Sequence, residues 1–397
     1  MSAGVPHILH VFSTFVPAGP QVRTAGLLAA FGGEFRHSLV AMDGRLEARE
    51  LVAPTVEIEY LDAPPKAGSL ATLRRMRALV RRTAPDLVLT YNFGAIDTAL
   101  ALRLPALPPW RGRPPLVHHE DGFRPDEVEG LKSRRNWLRR LALAQAAGVV
   151  VISENLQRIA ASAWHLPAER LQFIPNGIDA ARFEPRDDQD QRTRMLRAEL
   201  GIPADAFVVG AVGHLRPEKN LARLLRAAAR VPGLHVLVLG EGPERAGLEQ
   251  LASGSELAGR VHFAGYHADP RGHYHALDAF ALSSDTEQMP IALLEAMASS
   301  LPAVATDVGD VRAILPPEQT GQIIGLGSAV STGQGGTADT GGSTDHEAFA
   351  EALAGLARDP QLCARLGSAN RARLLERFGE QRMVQAYREL YLRALGR

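Results

Sequence analysis

Short apolar runs of β-forming residues alternate with helical patterns along this chain, and the alternation occurs twice. It constrains the fold strongly, because strands separated by helices pair in parallel and need helices on both faces of their sheet. The runs in the first half are His7–Phe12, His37–Met42, Glu57–Leu61, Asp86–Thr90, Leu116–His118 and Val149–Ile152. Those in the second half are Phe207–Gly213, His235–Gly240, Val261–Gly265, Ala279–Leu282 and Pro302–Thr306. The sequence therefore predicts an α/β protein with two doubly wound domains.

The chain is long enough for two domains, since 397 residues exceed the usual size of one. We place the boundary at residue 185, so that residues 1–185 form the first domain and residues 186–377 the second. The polar segment 184–198 would hold the connection, with the acidic run at 187–190 exposed to solvent. Residues 325–345 are rich in Gly, Ser and Thr, which predicts a flexible insertion in the second domain.

Charge and cysteine content exclude several classes of protein. The 44 basic and 44 acidic residues balance to a net charge of zero, which argues against a general nucleic-acid-binding protein. The single cysteine, Cys363, excludes an internal disulfide framework and a cysteine-cluster metal site, and it fits a reducing compartment. The sequence shows neither a charged leader nor an apolar run of about 18 residues. We therefore expect a cytoplasmic protein that is soluble or attached to the inner face of the membrane.

The stretch from Ser283 to Ala298 has the pattern of a strand end, a polar loop and a helix, with Pro290 suited to the first helical turn. A helix that starts after a strand presents free backbone N–H groups and the positive end of its dipole, which suit a diphosphate. Glu287 in the loop and Glu295 in the helix could reach different parts of one polar ligand. On spacing alone, they could equally be a solvated loop residue and a helix-surface charge.

A second loop of the same kind runs from Gly213 to Asn220 and carries basic residues. It leaves a predicted strand and enters a predicted helix, so Lys219 would lie near a helix N-terminus with reach towards a phosphate. Arg216 is the neighbouring cation. The acidic run at 187–190 contains an Asp-x-Asp spacing, but it lies in the predicted connection and is interpreted as solvated. Fixed cations and amides, rather than a metal ion, are therefore the expected stabilisers of a diphosphate.

Glu287, seven intervening residues and Glu295-Ala-Met-Ala, followed by the segment Leu301–Thr306, resemble the signature of retaining glycosyltransferases of family 4, the glycosyl transferases group 1. The resemblance implies the GT-B fold, in which two doubly wound Rossmann-like domains face each other across a cleft. It also implies that Glu287 contacts the donor sugar and that Glu295 contacts the nucleotide ribose. In such proteins the last helix commonly crosses back to the N-terminal domain, which here would involve residues 378–397.

The resemblance assigns further residues to the donor site. The family pattern Gly-Arg-Leu-x-x-x-Lys is matched at Lys219 but has His214 in place of its arginine. Either Arg216 supplies the missing charge or His214 acts as a pH-dependent donor. Tyr266 would border the base, or else pack internally, and the loop 306–310 would border the phosphates. The residues predicted to bind the donor are Gly19, Gly213, His214, Gly240, Tyr266, Gln288, Met289, Pro290, Ile291 and Glu295.

The opposite wall of the predicted cleft would come from the first domain, where the loop around Gly19 resembles the family's glycine loop after strand one. Family members often carry a histidine near the reacting centre. The register of this chain puts Asp121 at that position, just after His118 and His119. All three stay candidates, and a metal site at this cluster lacks a third separated ligand. The predicted catalytic set is therefore Glu287, Lys219, Arg216, His118, His119 and Asp121.

The resemblance implies a retaining, metal-independent transferase of a hexose-type sugar. The donor would be a UDP- or GDP-sugar, and the acceptor a glycan or lipid-linked intermediate of cell-surface polysaccharide or glycolipid synthesis. Two alternatives stay open: a non-hydrolysing nucleotide-sugar epimerase of the same fold, and a non-catalytic nucleotide-sugar-binding protein. The basic helix Lys132–Arg140 with its embedded Trp137, and the arginines within 74–82, suit anionic lipid headgroups or a lipid diphosphate, or else are solvated charges.

Overall fold

A computed structural model describes residues 4–65, 69–103, 112–123, 127, 131–185, 191–326 and 343–397. The chain divides into two compact units, Met1–Asn176 with Gln381–Arg397 and Gly177–Glu380. This division falls between Asn176 and Gly177, whereas the sequence-based boundary lies at residue 185. Each unit has a parallel sheet and a core of its own.

The first unit is built on a seven-stranded parallel sheet. Its strands are β1 (His7–Phe12), β2 (Arg36–Ala41), β3 (Ile58–Leu61), β4 (Leu87–Tyr91), β5 (Leu116–Glu120), β6 (Gly148–Val151) and β7 (Leu171–Phe173). Its described helices are α1 (Gly19–Phe31), α2 (Ser69–Thr83), α3 (Ile96–Arg103), α4 (Ser133–Leu143) and α5 (Glu154–Ser162). The strand order is β3-β2-β1-β4-β5-β6-β7. Strands β1, β4, β5 and β6 are buried along their whole length, as expected of a sheet covered on both faces.

The second unit is built on a six-stranded parallel sheet. Its strands are β8 (Phe207–Val212), β9 (Leu234–Leu239), β10 (Val261–Gly265), β11 (Ala279–Leu282), β12 (Ala303–Thr306) and β13 (Ile323–Ile324). Its described helices are α6 (Gln191–Glu199), α7 (Leu221–Ala229), α8 (Arg245–Ala252), α9 (Arg271–His275), α10 (Ile291–Ala298), α11 (Val311–Ile314), α12 (Ser343–Arg358) and α13 (Pro360–Arg377). The strand order is β10-β9-β8-β11-β12-β13.

The last helix, α14 (Glu380–Ala394), supplies a large part of the first unit's core. Its buried side chains are Met383, Val384, Tyr387, Leu390 and Tyr391, and they pack with residues of β1, β4, β5 and α1. The Tyr391 ring, for example, lies edge-on to Phe31 of α1, with ring centroids 5.9 Å apart. Residues from the end of the chain are therefore needed to complete the first unit.

The strands predicted from apolar runs are confirmed, with ends that shift by one or two residues. The largest shift concerns β5, which continues past His118 to Glu120 and so takes His119 into the sheet. Strands β7 and β13 are short, with three and two residues, and the sequence did not indicate them. Short edge strands carry too few apolar residues to give a recognisable pattern.

Part of the segment predicted as the connection is helical. Helix α6 covers Gln191–Glu199 and lies in the second unit. Its Arg197 is buried, donating a hydrogen bond of 3.0 Å to the Ala276 carbonyl and one of 2.9 Å to Asp278 Oδ2. The charged pattern therefore reflects an internal ion pair as well as solvent exposure. The acidic run at 187–190 and most of the predicted insertion 325–345 lie outside the described residues.

Candidate functional site

The strand order of the second sheet reverses between β8 and β11. Strand β8 pairs with β9 on one side and with β11 on the other, so the chain crosses at this point from one half of the sheet to the other. The loops that follow β8 and β11 therefore leave the same edge of the sheet side by side. Ligands of open α/β sheets bind at this place. It holds two loops that carry predicted donor-site residues, 213–220 and 283–290.

Lys219 and Glu287 meet between these two loops. The Lys219 ammonium forms an ion pair with Glu287 Oε1, and Ser284 Oγ donates a hydrogen bond of 2.8 Å to the same oxygen. The side chains are 31% and 11% exposed, so solvent reaches the pair without surrounding it. Two residues 68 positions apart, each predicted to contact the donor, are thus in direct contact. Together they offer a cation and a carboxylate to one polar ligand.

A set of hydrogen bonds fixes the backbone on both sides of this pair. Asn220 adopts the left-handed conformation (φ 40°) at the N-cap of α7, and its amide nitrogen lies 3.1 Å from each carboxylate oxygen of Asp285. Arg223 is paired with Asp285 at 2.7 Å and donates a hydrogen bond of 2.6 Å to the Ser283 carbonyl. The Asp285 N–H donates to the Glu218 carbonyl at 2.9 Å. The two loops are therefore held together before any ligand arrives.

Two glycines allow the loops after β8 and β9 to approach closely. A Cβ on Gly240 would lie 1.8 Å from the Gly213 carbonyl oxygen, and both residues have positive φ, 136° and 148°. The neighbouring His214 donates a hydrogen bond from Nδ1 to a backbone carbonyl of the loop after β9. Arg216 is 49% exposed, and its guanidinium lies 3.8 Å from the Glu218 carboxylate. The Arg216 charge is thus exposed to solvent, whereas the His214 ring is hydrogen-bonded to the backbone.

The loop after β12 packs against the loop that carries Glu287. A Cβ on Gly309 would lie 2.1 Å from the Glu287 carbonyl oxygen, and Gly309 has a φ of 54°. Thr306 Oγ1 donates a hydrogen bond of 2.6 Å to the Ser284 carbonyl. The structure therefore brings the predicted 306–310 loop to the backbone of Glu287, where a larger side chain than glycine would not fit.

Helix α10 follows the loop that carries Glu287, and Glu295 lies on this helix. Met289 and Pro290 are buried, and Pro290 is the N-cap with an extended backbone (φ −71°, ψ 114°). Glu295 Oε2 accepts a hydrogen bond of 2.7 Å from the hydroxyl of Tyr274, a fully buried residue. Burial raises the pKa of Glu295 to about 7, although the Tyr274 hydrogen bond and Arg182 oppose the shift. The sequence did not indicate Tyr274, because its contact with Glu295 joins residues of different elements.

The other predicted donor residues of the second unit lie around these loops. Tyr266 follows β10 and is 62% exposed, so its ring is accessible to a ligand instead of being packed internally. Gln288 and Ile291 are partly buried on either side of the buried pair Met289 and Pro290. Gly19 belongs to the first unit and is the first residue of α1.

His118 and His119 are enclosed within the first unit, 0% and 1% exposed. The Nδ1 atom of His118 lies 2.8 Å from Thr90 Oγ1. His119 stacks on Tyr91 with ring centroids 4.5 Å apart, and its Nε2 lies 2.9 Å from the Tyr391 hydroxyl. Burial lowers the pKa of His119 far below its usual value, so the ring is neutral. Both histidines lie within β5, and both contact other side chains of this unit.

Asp121 is the first residue after β5 and forms a buried ion pair with Arg23. The side chains are 6% and 3% exposed. Arg23 Nη1 also donates a hydrogen bond of 3.0 Å to Asn176 Oδ1, and the Asp121 N–H donates one of 2.7 Å to Asn92 Oδ1. Burial lowers the pKa of Arg23, but the Asp121 carboxylate outweighs this effect and the net shift is upward. Arg23 was not among the predicted site residues, although it lies in α1, four residues after Gly19.

Neither a metal-binding cluster nor a membrane-spanning helix is found among the residues that the structure describes. Within the residues that the structure describes, no group of three or more His, Cys, Asp or Glu side chains is arranged to hold a metal ion. No described helix combines the length and the apolar character that crossing a membrane requires.

Two family profiles match consecutive parts of the chain. The profile described as "Glycosyl transferase 4-like domain" matches residues 18–177, which lie almost entirely in the first unit. The profile described as "Glycosyl transferases group 1" matches residues 193–373, within the second unit. The predicted resemblance is therefore confirmed over both halves of the chain.

Among curated proteins, the chain is similar to the lipopolysaccharide core biosynthesis glycosyltransferase LpsE of Rhizobium meliloti. The identity is 31% over 49% of this chain and 52% of the relative. It is also similar to D-inositol 3-phosphate glycosyltransferase of Mycolicibacterium paratuberculosis, with 31% identity over 63% of this chain and 54% of the relative. The match thus spans about half the length of each of these relatives.

Among solved structures, the chain is similar to Anabaena Alr3699/HepE in complex with UDP and glucose. The TM-score is 0.79 with 22% sequence identity, covering 97% of this chain and 99% of that chain. At this identity the likeness shows the fold alone. The predicted fold class, a GT-B protein with two doubly wound α/β domains, is confirmed.

Proposed function

We propose that this chain, which belongs to the glycosyl transferases group 1, transfers a hexose-type sugar from a nucleoside-diphosphate sugar to a glycan or lipid-linked acceptor, with retention of the anomeric configuration. The donor would be a UDP- or GDP-sugar. A UDP donor is favoured by the solved relative that holds UDP and glucose. An acceptor in cell-surface polysaccharide or glycolipid synthesis is favoured by the relative named for lipopolysaccharide core biosynthesis.

The observation that carries this proposal is the contact between Lys219 and Glu287 at the strand-order reversal of the second sheet. A nucleotide sugar places a dianionic diphosphate next to a sugar rich in hydroxyl groups. A cation and a carboxylate in contact match this pair of chemical groups. In the free protein the two side chains neutralise each other, and in the complex Lys219 would turn to the diphosphate while Glu287 accepts from sugar hydroxyls.

Departure of the nucleoside diphosphate is the step that needs charge stabilisation. Lys219 and the exposed Arg216 would supply fixed positive charge, and the N-terminus of α10 would add backbone N–H groups. We therefore propose that transfer requires no resident metal ion. The anomeric configuration is retained if the acceptor hydroxyl attacks from the face that the diphosphate leaves. In this arrangement the departing phosphate can take up the hydroxyl proton.

The test is turnover of nucleotide sugars by the purified chain and its Glu287→Gln variant. A panel of UDP- and GDP-sugars is offered with lipid-linked and oligosaccharide acceptors, and released UDP or GDP is measured. We expect release with at least one donor and an undiminished rate in EDTA. Because the variant loses a charged contact to the sugar, its rate should fall by about 100-fold or more.

Glu318→Gln is the matched control, since Glu318 is exposed on the same unit and outside the site. It should keep the wild-type rate. Proton NMR of the product reports the anomeric configuration. A Glu287→Gln variant that is folded and fully active would contradict the role of Glu287, and an inverted product would contradict retention.

We also propose that the protein works in the cytoplasm at the inner face of the membrane, attached through α4. Trp137 is 60% exposed on this helix, and Arg134 and Arg140 are exposed beside it. An aromatic ring with neighbouring cations suits an interface of anionic headgroups. Only some of the basic side chains of α4 would contribute to membrane attachment, because Arg135 and Arg139 are paired with Glu127 at 2.9 and 3.2 Å.

A further inference from the structure

We infer that Tyr274 is a positioning residue for Glu295. Its hydroxyl would hold the carboxylate ionised and oriented towards the ribose, and it would thereby set the pH range in which the donor binds. The inference rests on the proposed function, in which Glu295 accepts hydrogen bonds from the ribose hydroxyls. It assigns a role to a residue that lies outside the set predicted from the sequence.

The Tyr274 hydroxyl lies within hydrogen-bond distance of two acceptors. The ring is 0% exposed and lies between Phe183 and Phe280, whose ring centroids are 5.8 and 6.3 Å from its own. The hydroxyl oxygen is 2.7 Å from Glu295 Oε2 and 3.2 Å from the Ala292 carbonyl oxygen. These two acceptors lie one helical turn apart on the same face of α10. The single hydroxyl proton is therefore directed at the first turns of this helix.

The hydrogen bond matters because Glu295 is in an environment that disfavours its charge. Burial is the main cause that raises the pKa of Glu295, Tyr274 and Arg182 lower the pKa, and Asp269 raises it, with a net value of about 7. Arg182 and Asp269 therefore act on the pKa of Glu295 in opposite directions. Tyr274 is the neutral partner that favours the carboxylate, and burial beside Glu295 raises the pKa of the Tyr274 hydroxyl so that it keeps its proton.

A ribose places two hydroxyl groups next to each other, and both can donate hydrogen bonds to one carboxylate. A protonated carboxyl group has lost part of this acceptor capacity. Donor affinity should therefore fall as the pH falls through the range in which Glu295 takes up its proton. Without the tyrosine hydroxyl, Glu295 should take up its proton at higher pH, because a donor to the charged form has been lost.

The experiment is calorimetric binding of UDP-glucose, or of GDP-mannose if the chain prefers guanosine, from about pH 6 to about pH 9. These probes are esterified at both ends of the diphosphate and lack the second phosphate ionisation, which occurs at about pH 6. Wild type is compared with Tyr274→Phe, Glu295→Gln and the control Tyr60→Phe. Tyr60 is a partly exposed residue of the first unit. Circular dichroism checks that each variant is folded.

For wild type and Tyr60→Phe, we expect affinity to decline below about pH 7. For Tyr274→Phe, the midpoint should move up by about one pH unit, the equivalent of one hydrogen bond to a charged group. Affinity at pH 7 should then fall about fivefold, since the ionised fraction drops from about one half to about one tenth. In the turnover assay KM for the donor should rise while kcat stays the same. Glu295→Gln, which has no carboxylate, should bind weakly with a flat pH profile.

Failure of the inference alone can be told apart from failure of the function on which it rests. If wild type binds the nucleotide sugar and Tyr274→Phe keeps the same midpoint, the positioning role is wrong and the glycosyltransferase proposal stands. If Tyr274→Phe lowers kcat and leaves KM and the pH profile unchanged, the role is also wrong. If no nucleotide sugar binds wild type at any pH, both the inference and the proposed function fail.

Discussion

At the scale of single residues, contacts between polar side chains at distant positions define the candidate site. Lys219 and Glu287 come from loops after different strands, and Glu295 takes its partner from a third element. The first unit has a comparable pair in Arg23 and Asp121. For each of these pairs, the sequence indicated one or both residues as site residues. No pattern along the chain predicted that the two residues of a pair contact each other.

The Arg23–Asp121 pair gives a prediction about stability. Asp121→Asn would leave the Arg23 guanidinium, 3% exposed, without its carboxylate. Loss of one partner of a buried ion pair costs about 3–5 kcal/mol. We therefore expect the first unit to unfold at markedly lower urea concentration. Tryptophan fluorescence measures this, because all three tryptophans lie in the first 176 residues.

Two variants make this prediction specific. Asp62→Asn changes an exposed carboxylate of the same unit and should unfold like wild type. Arg23→Gln combined with Asp121→Asn removes both charges and should recover part of the loss. An Asp121→Asn variant as stable as the Asp62→Asn control would show that Asp121 is not needed as the counter-ion of Arg23.

At the scale of elements, glycines and helix caps determine the conformation of the loops in the second unit. Helix α4 of the first unit differs, because its notable feature is the charge of its side chains. The sequence predicted where these loops lie, because strand ends and glycine turns are local patterns. It could not tell which cations of α4 face solvent. Five basic side chains occur at residues 132–140, yet the Arg139 side chain is 0% exposed and Arg135 is 16% exposed, both paired with Glu127.

The exposed side of α4 gives a prediction about membranes. The protein should sediment with vesicles that contain phosphatidylglycerol and should stay in solution with pure phosphatidylcholine. Each exposed cation near an anionic surface contributes about 1 kcal/mol, so Arg134→Glu and Arg140→Glu should each weaken binding by at least fivefold. Trp137→Ser should weaken it further, because its apolar ring no longer enters the interface.

Arg382→Glu is the control, because Arg382 is an exposed cation of α14 in the same unit. It should leave vesicle binding close to that of wild type. If the α4 variants bind vesicles as well as this control does, the helix is not the attachment site.

At the scale of the whole molecule, buried neutral histidines make folding sensitive to acid. In the first unit His10 Nε2 lies 3.1 Å from His37 Nδ1, and His7 Nε2 lies 2.7 Å from Ser38 Oγ. Burial lowers the pKa of all three histidines, that of His37 to about 4. A group with a lowered pKa binds its proton more readily in the unfolded chain, where the pKa is about 6.5. Stability is therefore lost as the pH falls below about 6.5.

For His37 alone the loss at pH 5 should be about 2 kcal/mol relative to neutral pH. We expect His37→Gln, which keeps a side chain capable of hydrogen bonding, to flatten the pH dependence of urea unfolding between about pH 4 and about pH 6.5. His165→Asn changes an exposed histidine of the same unit and should keep the wild-type slope. A wild-type free energy of unfolding that is constant over this range would contradict the prediction.

The sequence by itself determined the architecture and the position of the candidate site. Two series of apolar strands separated by helices allow little besides two parallel sheets, and the glutamates, the lysine and the glycine turns follow strand ends that local patterns reveal. Only the tertiary structure decided the partners. It joined Lys219 to Glu287 and Tyr274 to Glu295, and it buried His118 and His119 within the first unit. Such contacts depend on how distant elements pack, and no spacing along the chain records that packing.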